Sequence, residues 1–271
     1  QRSSGVASGV ELTSGLYVHG GNNDENLFLI DGSPLYQVNH ALGLFSAFNS
    51  DIVKNIDFYK GGFPARYGGR LSSVVDVRTD DGDLNHYHGS YRLGLLDGSL
   101  QFEGPIRKGK TSFNFGLRRS WIDLLSRPAF ALYNKSSTSD DKLNLCYFFH
   151  DLNAKITNIF DNRNRMSLSV YSGEDKMSTK DDSNDDYGTS YSDKDLTKND
   201  FNWGNFNMAL LFEHQFSPKL FANFNAVYTY NISKYKSQED ESSKKEQNIL
   251  NESHYEHEYK SSIRDYGYRM S

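Results

Sequence analysis

Two rows of alternating apolar residues restrict the fold of this chain more than any other feature. Positions 206 to 216 and 220 to 232 carry apolar or aromatic side chains at nearly every even number, and the odd positions between them are mostly polar. A repeat of two residues is the side-chain period of a β-strand that has one apolar face. Only Ser217–Lys219 separate the rows. The rows therefore predict two antiparallel strands joined by a tight turn.

Similar alternation runs from His88 to the C-terminus, over about eight segments. Its phase flips at Leu96–Gly98, which predicts a hairpin there because Asp-Gly is a preferred turn pair. Leu143–Phe160 is predicted to be one long strand, with a phase slip near Phe148–Asp151 that indicates a bulge. This part of the chain is therefore predicted to be mainly β.

The connections between these strands alternate between short and long. The short ones are Pro105–Lys110, Asp161–Arg165 and Ser217–Lys219, and the long polar ones are Ser120–Lys142, Glu174–Asn202 and Ser237–Asn251. Transmembrane β-barrels have short periplasmic turns and long extracellular loops, whereas a soluble sandwich has no need for this alternation. The connections therefore favour a membrane barrel.

Composition leaves two classes of β-protein open. Aromatic residues make up 14% of the 271 residues, and only 5 residues are proline. This suits a barrel with apolar-out, polar-in strands, but also a large soluble β-sandwich. No run approaches the roughly 18 apolar residues of a membrane-spanning helix. Gln1 opens the chain without a methionine or a secretory signal, so we expect a mature or truncated product.

A glycine-rich stretch, Ile56–Val77, separates this region from a different N-terminal unit. Glycine pairs allow unusual backbone conformations or close approach, and Pro64 fixes the turn between them. Arg66 and Arg70 lie inside the stretch, and arginine suits interfacial pairs with carboxylates. An ordinary glycine-rich hairpin with two solvated arginines is the alternative.

The stretch resembles the end of the plug domain of TonB-dependent outer-membrane transporters, and its form is most similar to those of the Bacteroidota. Leu16–Gly21 and Asn26–Tyr36 resemble two earlier plug signatures in the same order. The match departs from many members at Lys60–Pro64, where they have Arg-Gly-Pro. The resemblance implies a plug over residues 1–85 and the N-terminal portion of a barrel wall over residues 86–271.

The size of the plug then limits the barrel. The interior of an eight-stranded barrel is just wide enough for side chains and cannot enclose a plug of about 80 residues. The predicted fold is therefore mainly β: a small α+β plug followed by about eight strands of a 22-stranded antiparallel transmembrane β-barrel, the class with a plugged lumen. We expect the sequence to be a fragment of that barrel.

The resemblance also implies a function. It implies TonB-dependent uptake of a scarce or large nutrient, such as a siderophore, cobalamin, glycan or peptide, across the outer membrane. The implied partners are the TonB energy-transducing complex, outer-membrane lipids, an unknown nutrient ligand and a surface lipoprotein. Two alternatives stay open: a surface interaction protein whose long extracellular loops dock a lipoprotein without transport, and a soluble β-protein with a plug-like N-terminal domain.

Six residues are the candidate site. In the family, plug loops that follow the strand ends contact the ligand, and His19, Tyr36, Gln37 and His40 lie at such places. For Tyr36, packing in the plug core is the alternative. Arg66 and Arg70 are predicted to form plug–wall contacts with inward-facing carboxylates.

Other clusters of polar residues are predicted to have structural roles. The acidic stretch Glu174–Asp200 favours a solvated loop over a calcium site. His254 and His257 do not share a face on a strand, so they predict no metal site. The basic Arg107–Lys110 suits a membrane interface. The net charge of −5 argues against nucleic-acid binding. With no GxSxG motif and a lone Cys146, the chain is predicted not to be an enzyme and to need no cofactor.

Overall fold

The computed structural model describes residues 26–43, 45–60, 73–136, 142–186, 191–245 and 248–271. The described chain contains a small N-terminal sheet, a two-stranded ribbon and a large eight-stranded sheet. His19, Arg66 and Arg70 lie outside the described residues, as does the signature Leu16–Gly21.

The N-terminal unit is built on a mixed four-stranded sheet. Its strands are β1 (Asn26–Ile30), β2 (Ser33–Pro34), β5 (Val53–Lys60) and β6 (Ser73–Thr79), in the order β2-β1-β6-β5. β1 pairs parallel to β6, and the other two pairs are antiparallel. The segment from β2 to β5 contains β3 (Asn39–His40), a 3-10 helix (Ala41–Gly43) and β4 (Phe45–Ser46). The sequence predicts a short helix or packed loop for this segment, and the structure has one short helical turn within a ribbon.

The turn between β1 and β2 requires left-handed backbone at two residues. Asp31 has a φ of 48° and Gly32 a φ of 80°. Asp31 is held in this conformation because its carboxylate accepts hydrogen bonds from the backbone nitrogen (3.1 Å) and the hydroxyl (2.6 Å) of Thr79. The end of β6 thereby fixes the turn.

The apolar core of the N-terminal unit extends into the large sheet. Phe28, Ile30, Val75 and Val77 are buried together in this core, and Tyr171 of the large sheet packs among them at 2% exposure. Since part of the core comes from the large sheet, the N-terminal unit and the large sheet pack as one structure.

The large sheet is an antiparallel meander in which each strand pairs with the next along the chain. Its strands are β7 (His88–Leu93), β8 (Asp97–Arg107), β9 (Thr111–Ser120), β10 (Lys142–Asp161), β11 (Asn164–Asp186), β12 (Tyr191–Ser217), β13 (Leu220–Lys245) and β14 (Asn248–Met270). Within the described ranges, β7 and β14 do not pair with each other, so the sheet is open. This confirms the mainly-β prediction of a small plug-like unit followed by about eight wall strands.

The two faces of the large sheet differ in polarity. The face toward the N-terminal unit buries polar side chains such as Asn114, Asn153 and Thr229, whereas the opposite face exposes Phe115 and Leu168. This is the polar-in, apolar-out alternation of a barrel wall.

Three short turns, at residues 108–110, 162–163 and 218–219, lie at one end of the sheet, which we call the short-turn end. The opposite end is the hairpin end. Its β9–β10 connection contains α1 (Ile122–Ser136), where the sequence predicts only a long polar loop. Asp123 in the first turn and Lys135 in the last turn complement the helix dipole, and Arg119 pairs with Asp123 at 3.0 Å. Among the described residues, no helix is sufficiently long and apolar to cross a membrane.

The prediction of a long loop at Glu174–Asn202 is wrong over most of its length. β11 continues to Asp186 and β12 begins at Tyr191, with continuous pairing between them. Both faces of this extension carry polar residues, so the alternation that marks a strand disappears while the backbone ladder continues. The predicted bulge near Phe148–Asp151 is also misplaced, because the β10–β11 register shifts between Ile159 and Asp161.

Close packing between the two units predicts a sensitive glycine. A Cβ added at Gly116 of β9 would lie 2.6 Å from Cγ2 of Ile52, which is 3% exposed. We expect Gly116→Ala to lower the free energy of unfolding by about 1–3 kcal/mol through overpacking. Urea unfolding of the detergent-solubilised protein measures this change. Gly89→Ala is the matched control, since its nearest neighbour would be at 3.4 Å. Equal urea midpoints for the two variants would contradict the close contact between Gly116 and Ile52.

Candidate functional site

The N-terminal unit meets the large sheet through two clusters of charged side chains, one buried and one partly exposed. We call them the His40 cluster (His40, Arg118, Asp151 and Asp175) and the Asp81 cluster (Asp31, Lys54, Asp81, Lys155 and Arg165). Each combines residues of the N-terminal segment with residues of wall strands that are distant in sequence.

His40 ends the short strand β3 and inserts between two carboxylates of the large sheet. Its Nε2 lies 2.9 Å from Oδ1 of Asp151, and its Nδ1 contacts Oδ1 of Asp175. Both carboxylates are fully buried, and His40 is 3% exposed. The ring of Phe149 stacks on the imidazole with centroids 4.3 Å apart and planes at 4°. Strands β10 and β11 place the carboxylates side by side because Asp151 and Asp175 both face inward.

Charge dominates the chemistry of the His40 cluster. Burial alone would lower the pKa of His40, but the charges and hydrogen bonds of Asp151 and Asp175 outweigh it and raise the pKa to about 9. The imidazolium therefore donates a hydrogen bond from each nitrogen at neutral pH. Arg118 adds a second cation, with Nη1 4.0 Å from Oδ2 of Asp151 and its guanidinium 5.0 Å from the centroid of Phe149.

This pKa predicts that docking of the N-terminal unit depends on pH. Because the pKa of His40 is raised above the unfolded value of 6.5, its contribution is complete below pH 6.5 and is lost as pH rises through about 9. We expect amide exchange near β3 in the intact protein to accelerate between pH 8 and 10, after correction for intrinsic exchange. His40→Gln serves as the control, since it has no group that titrates in this range. The same pH-dependent step in that variant would contradict the assignment.

The loop preceding His40 reaches three further wall contacts. The hydroxyl of Tyr36 donates to the Asp265 carboxylate on β14. Gln37 donates from Nε2 to Asp175 (3.3 Å), and its backbone carbonyl accepts from Nδ2 of Asn205 (2.9 Å). The segment from Tyr36 to His40 therefore adds hydrogen bonds to β11, β12 and β14 to the contacts that His40 makes with β10 and β11.

The Asp81 cluster lies nearer the short-turn end. Nζ of Lys155 lies 3.0 Å from Oδ1 of Asp81 and 3.4 Å from Oδ1 of Asp31. Arg165, next to the turn before β11, pairs with the other Asp81 oxygen, which Lys54 also contacts at 2.7 Å. Burial would raise the pKa of Asp81, but Lys155, Lys54 and Arg165 lower it well below its usual range. Asp81 is therefore a carboxylate at every physiological pH.

A neutral contact lies between the two clusters. The hydroxyls of Ser33 and Thr229 are 2.8 Å apart, and Nδ2 of Asn207 donates to the Pro34 carbonyl at 2.6 Å. Thr229 is fully buried and Asn207 is 2% exposed. The β2 end of the N-terminal sheet therefore also docks through hydrogen bonds.

Three of the six candidate residues can be placed. Tyr36, Gln37 and His40 lie together and contact the wall, a role that the sequence analysis assigned only to Arg66 and Arg70. Their contact with a ligand stays a prediction, as do the roles of His19, Arg66 and Arg70, which lie outside the described residues.

The wall partners in both clusters were not predicted from the sequence. Asp151, Lys155 and Asp175 occupy inward positions of long strands. A charge at an inward position is a usable signal, because a charged side chain there needs a partner in the lumen. The sequence around the charged residue does not reveal which residue that partner is.

A cavity of about 300 Å³ opens beside the Asp81 cluster. Its lining is strongly charged and includes Lys54, Arg78, Lys155, Arg165 and Arg269. The space lies between the N-terminal sheet and the large sheet, so movement of either unit changes its size.

Comparison with known proteins gives a family for the N-terminal part. Residues 1–75 match the family model of the TonB-dependent receptor plug domain. No curated protein sequence matches the chain.

Similar solved structures include the siderophore receptor PirA from Acinetobacter baumannii, with 10% identity, coverage of 92% of this chain and 50% of that chain, and a TM-score of 0.38. A mutant of the ferric enterobactin receptor PfeA from Pseudomonas aeruginosa has 10% identity, coverage of 90% and 51%, and a TM-score of 0.41. PirA from Pseudomonas aeruginosa has 11% identity, coverage of 93% and 52%, and a TM-score of 0.38. The chain spans about half the length of these structures.

Proposed function

We propose that the intact protein imports a nutrient across the bacterial outer membrane, on the premise that residues 1–75 match the family model of the TonB-dependent receptor plug domain. One structural observation carries the proposal: a small sheet docks on the polar face of an open wall through charged side chains. The division into a plug at residues 1–85 and a wall at residues 86–271 is part of the proposal.

The docking contacts suit a plug that must move. The Asp81 and His40 clusters hold the plug through ion pairs and hydrogen bonds, which water can replace once a path opens. An apolar core offers no such replacement, because separating it exposes apolar area to water. In the proposed mechanism, force from the TonB complex breaks these pairs in turn, and the cavity beside Asp81 widens into a passage.

Ligand binding is proposed at the outer side of the plug. Tyr36, Gln37 and His40 contact the wall toward the hairpin end, away from the short turns. A ligand that hydrogen-bonds to Gln37 competes with Asp175 for the same amide nitrogen, which lies 3.3 Å from the carboxylate. Occupancy of the site then weakens the His40 cluster. His19 is proposed to extend this site, and Arg66 and Arg70 to add plug–wall contacts.

The proposed partners are the TonB complex, outer-membrane lipids and an unknown nutrient, which could be a siderophore, cobalamin, glycan or peptide. Lipid contact is proposed for the outward face of the sheet, where Phe102, Phe115, Ile156 and Leu168 are exposed. Their side chains form an apolar band of the kind that acyl chains cover.

The long β11–β12 hairpin supports a second candidate function. Its paired strands continue to Asp186 and Tyr191, far beyond the apolar band. Such an extension can dock a surface lipoprotein without any transport. In this alternative the plug–wall contacts are purely structural.

Uptake separates the two functions. A strain that lacks the protein is complemented with the intact protein and grown with single sources of iron, cobalamin, glycan or peptide. Transport predicts a growth defect that the intact protein corrects only when TonB is present. A variant lacking residues 180–197 should retain that growth if the hairpin serves docking alone. Growth that never depends on the protein or on TonB would overturn the transport proposal.

A further inference from the structure

The linker between β6 and β7 brings together three side chains that commonly bind metal ions. Asp83, His86 and His88 offer one carboxylate oxygen and two ring nitrogens, all within 4.8 Å of one another. Within the part of the chain that the structure describes, this is the single group of three such ligands. The sequence predicts no metal site, and the histidine pair weighed as metal ligands, His254 and His257, does not share a strand face.

The linker has a fixed shape at this position. The backbone nitrogen of Gly109 donates to the Leu84 carbonyl at 2.9 Å, which ties the linker to the β8–β9 turn. Tyr87 packs against the wall: its hydroxyl donates to the Pro105 carbonyl (2.9 Å), and its ring lies parallel to that of Phe102 with centroids 6.0 Å apart. The site therefore lies at the short-turn end on a backbone that is already ordered.

The packing of Tyr87 on Phe102 directs its two neighbours to the opposite face of the backbone. His86 and His88 are two residues apart, so in extended backbone they point to the same side, opposite to Tyr87. Their side chains are 77% and 55% exposed, and ions can reach both from solvent. An i, i+2 pair of histidines is the spacing that a strand needs to present two imidazoles together.

Asp83 is oriented before any ion arrives. Its Oδ1 accepts hydrogen bonds from the backbone nitrogens of Asn85 (2.6 Å) and His86 (3.0 Å). Its Oδ2 then faces both imidazoles, 3.0 Å from Nε2 of His88 and 3.9 Å from Nδ1 of His86. Hydrogen bonds of this kind, from groups that do not touch the ion, hold a ligating carboxylate in place.

The distances fit a tetrahedral ion. Zinc binds imidazole nitrogen and carboxylate oxygen at about 2.0–2.2 Å, so ligand atoms on one tetrahedron are about 3.3–3.6 Å apart. Oδ2 of Asp83 lies 3.0 Å from Nε2 of His88 and 3.9 Å from Nδ1 of His86, one distance just below this range and one just above it. Rotations of the exposed histidine side chains are enough to bring both nitrogens to the ion.

We propose that Asp83, His86 and His88 bind a divalent transition metal ion of the zinc class. Imidazole ligands favour Zn²⁺, Ni²⁺ or Cu²⁺ over Ca²⁺ and Mg²⁺, which prefer oxygen. Three protein ligands leave the fourth position to water. His88 is the first residue of β7, so the ion joins the linker to the first wall strand and stiffens the joint between plug and wall.

Calorimetric titration tests the site with Zn²⁺ as the probe. Intact detergent-solubilised protein, stripped with a chelator, is compared with the double variant His86→Ala/His88→Ala. We expect the variant to lose one equivalent of bound Zn²⁺, and Asp83→Asn to bind that equivalent about tenfold or more weakly. Mg²⁺ should give no heat that depends on these residues.

His254→Ala/His257→Ala is the matched control, since it also removes two exposed histidines, both of them in β14. The control should keep the equivalent that the linker variant loses. Far-UV circular dichroism checks that both variants retain their sheet. An unchanged Zn²⁺ isotherm in the linker variant would overturn the proposal, as would a loss confined to the control.

Discussion

Replacing His40 by leucine should undock the plug more strongly than any other single change at this interface. The substitution leaves Asp151 and Asp175, both fully buried, with no cation between them. Removing one partner of a buried ion pair costs about 3–5 kcal/mol, because the remaining charges stay without compensation. Arg118 offsets only part of this cost, since its Nη1 is 4.0 Å from Asp151 and its Nε is already paired with Asp97 at 2.8 Å.

Two measurements check this expectation on the intact protein. Reconstituted into liposomes, His40→Leu should release a trapped dye faster than the wild type, and amide exchange of β3 should accelerate. The triple variant His40→Leu/Asp151→Asn/Asp175→Asn removes the uncompensated charges and should recover part of the loss. If His40→Leu alone leaks no faster than the wild type, His40 does not hold the plug.

The sheet could largely be predicted from the sequence, because its signal is local. Each wall strand has an outward apolar row, and the rows at positions 206–216 and 220–232 mark β12 and β13 directly. The strand extension to Asp186 was missed because alternation marks a strand with one apolar face, and this extension is paired but has polar residues on both faces. α1 was missed because a helix in a long connection was not distinguished from a polar loop.

The sequence singled out site residues in the N-terminal unit, but not their partners in the wall. The resemblance singled out Tyr36, Gln37 and His40 as ligand contacts and not as wall contacts. Nothing in the sequence pairs His40 with Asp175, which is 135 positions away. Such a pair depends on how two units dock, and docking is set by shape and charge over the whole interface. Inward charges in a wall strand indicate that partners exist, without saying which.

The two clusters respond differently to pH. The His40 cluster contains a titratable cation between two carboxylates, so alkaline pH weakens it. The Asp81 cluster contains Lys155 and Arg165 around a carboxylate of lowered pKa, so only strong acid weakens it. Between strong acid and alkaline pH, both clusters are intact. In that pH range, undocking of the plug from the wall requires mechanical work or competition from a ligand rather than a change of pH.

Replacing Asp81 by alanine should have the second largest effect, by the opposite charge imbalance. Lys54, Lys155 and Arg165 all converge on Asp81, and its loss leaves three cations around one vacancy. Lys155 is 8% exposed and keeps its hydrogen bond to the Thr79 carbonyl at 2.9 Å, but its one remaining carboxylate partner is Asp31, at 3.4 Å. Lys54 and Arg165 are partly exposed, so their side chains can turn to water. We therefore expect Asp81→Ala to lower the free energy of unfolding by about 3 kcal/mol, the lower end for a broken buried ion pair.

Asp81→Asn separates the contribution of the negative charge to stability from that of the side chain's shape. The amide keeps the volume and one hydrogen-bond acceptor but removes the negative charge, so its loss of stability should approach that of Asp81→Ala if electrostatics dominate. Asp51→Ala is a matched control: this carboxylate also lies between plug and wall, but its side chain is more exposed, its contact with Arg92 is 3.8 Å, and its other wall partner is the uncharged Ser99 hydroxyl. Urea midpoints of the intact proteins rank the variants. A midpoint for Asp81→Asn equal to that of the wild type would show that hydrogen bonding, and not charge, holds this part of the plug.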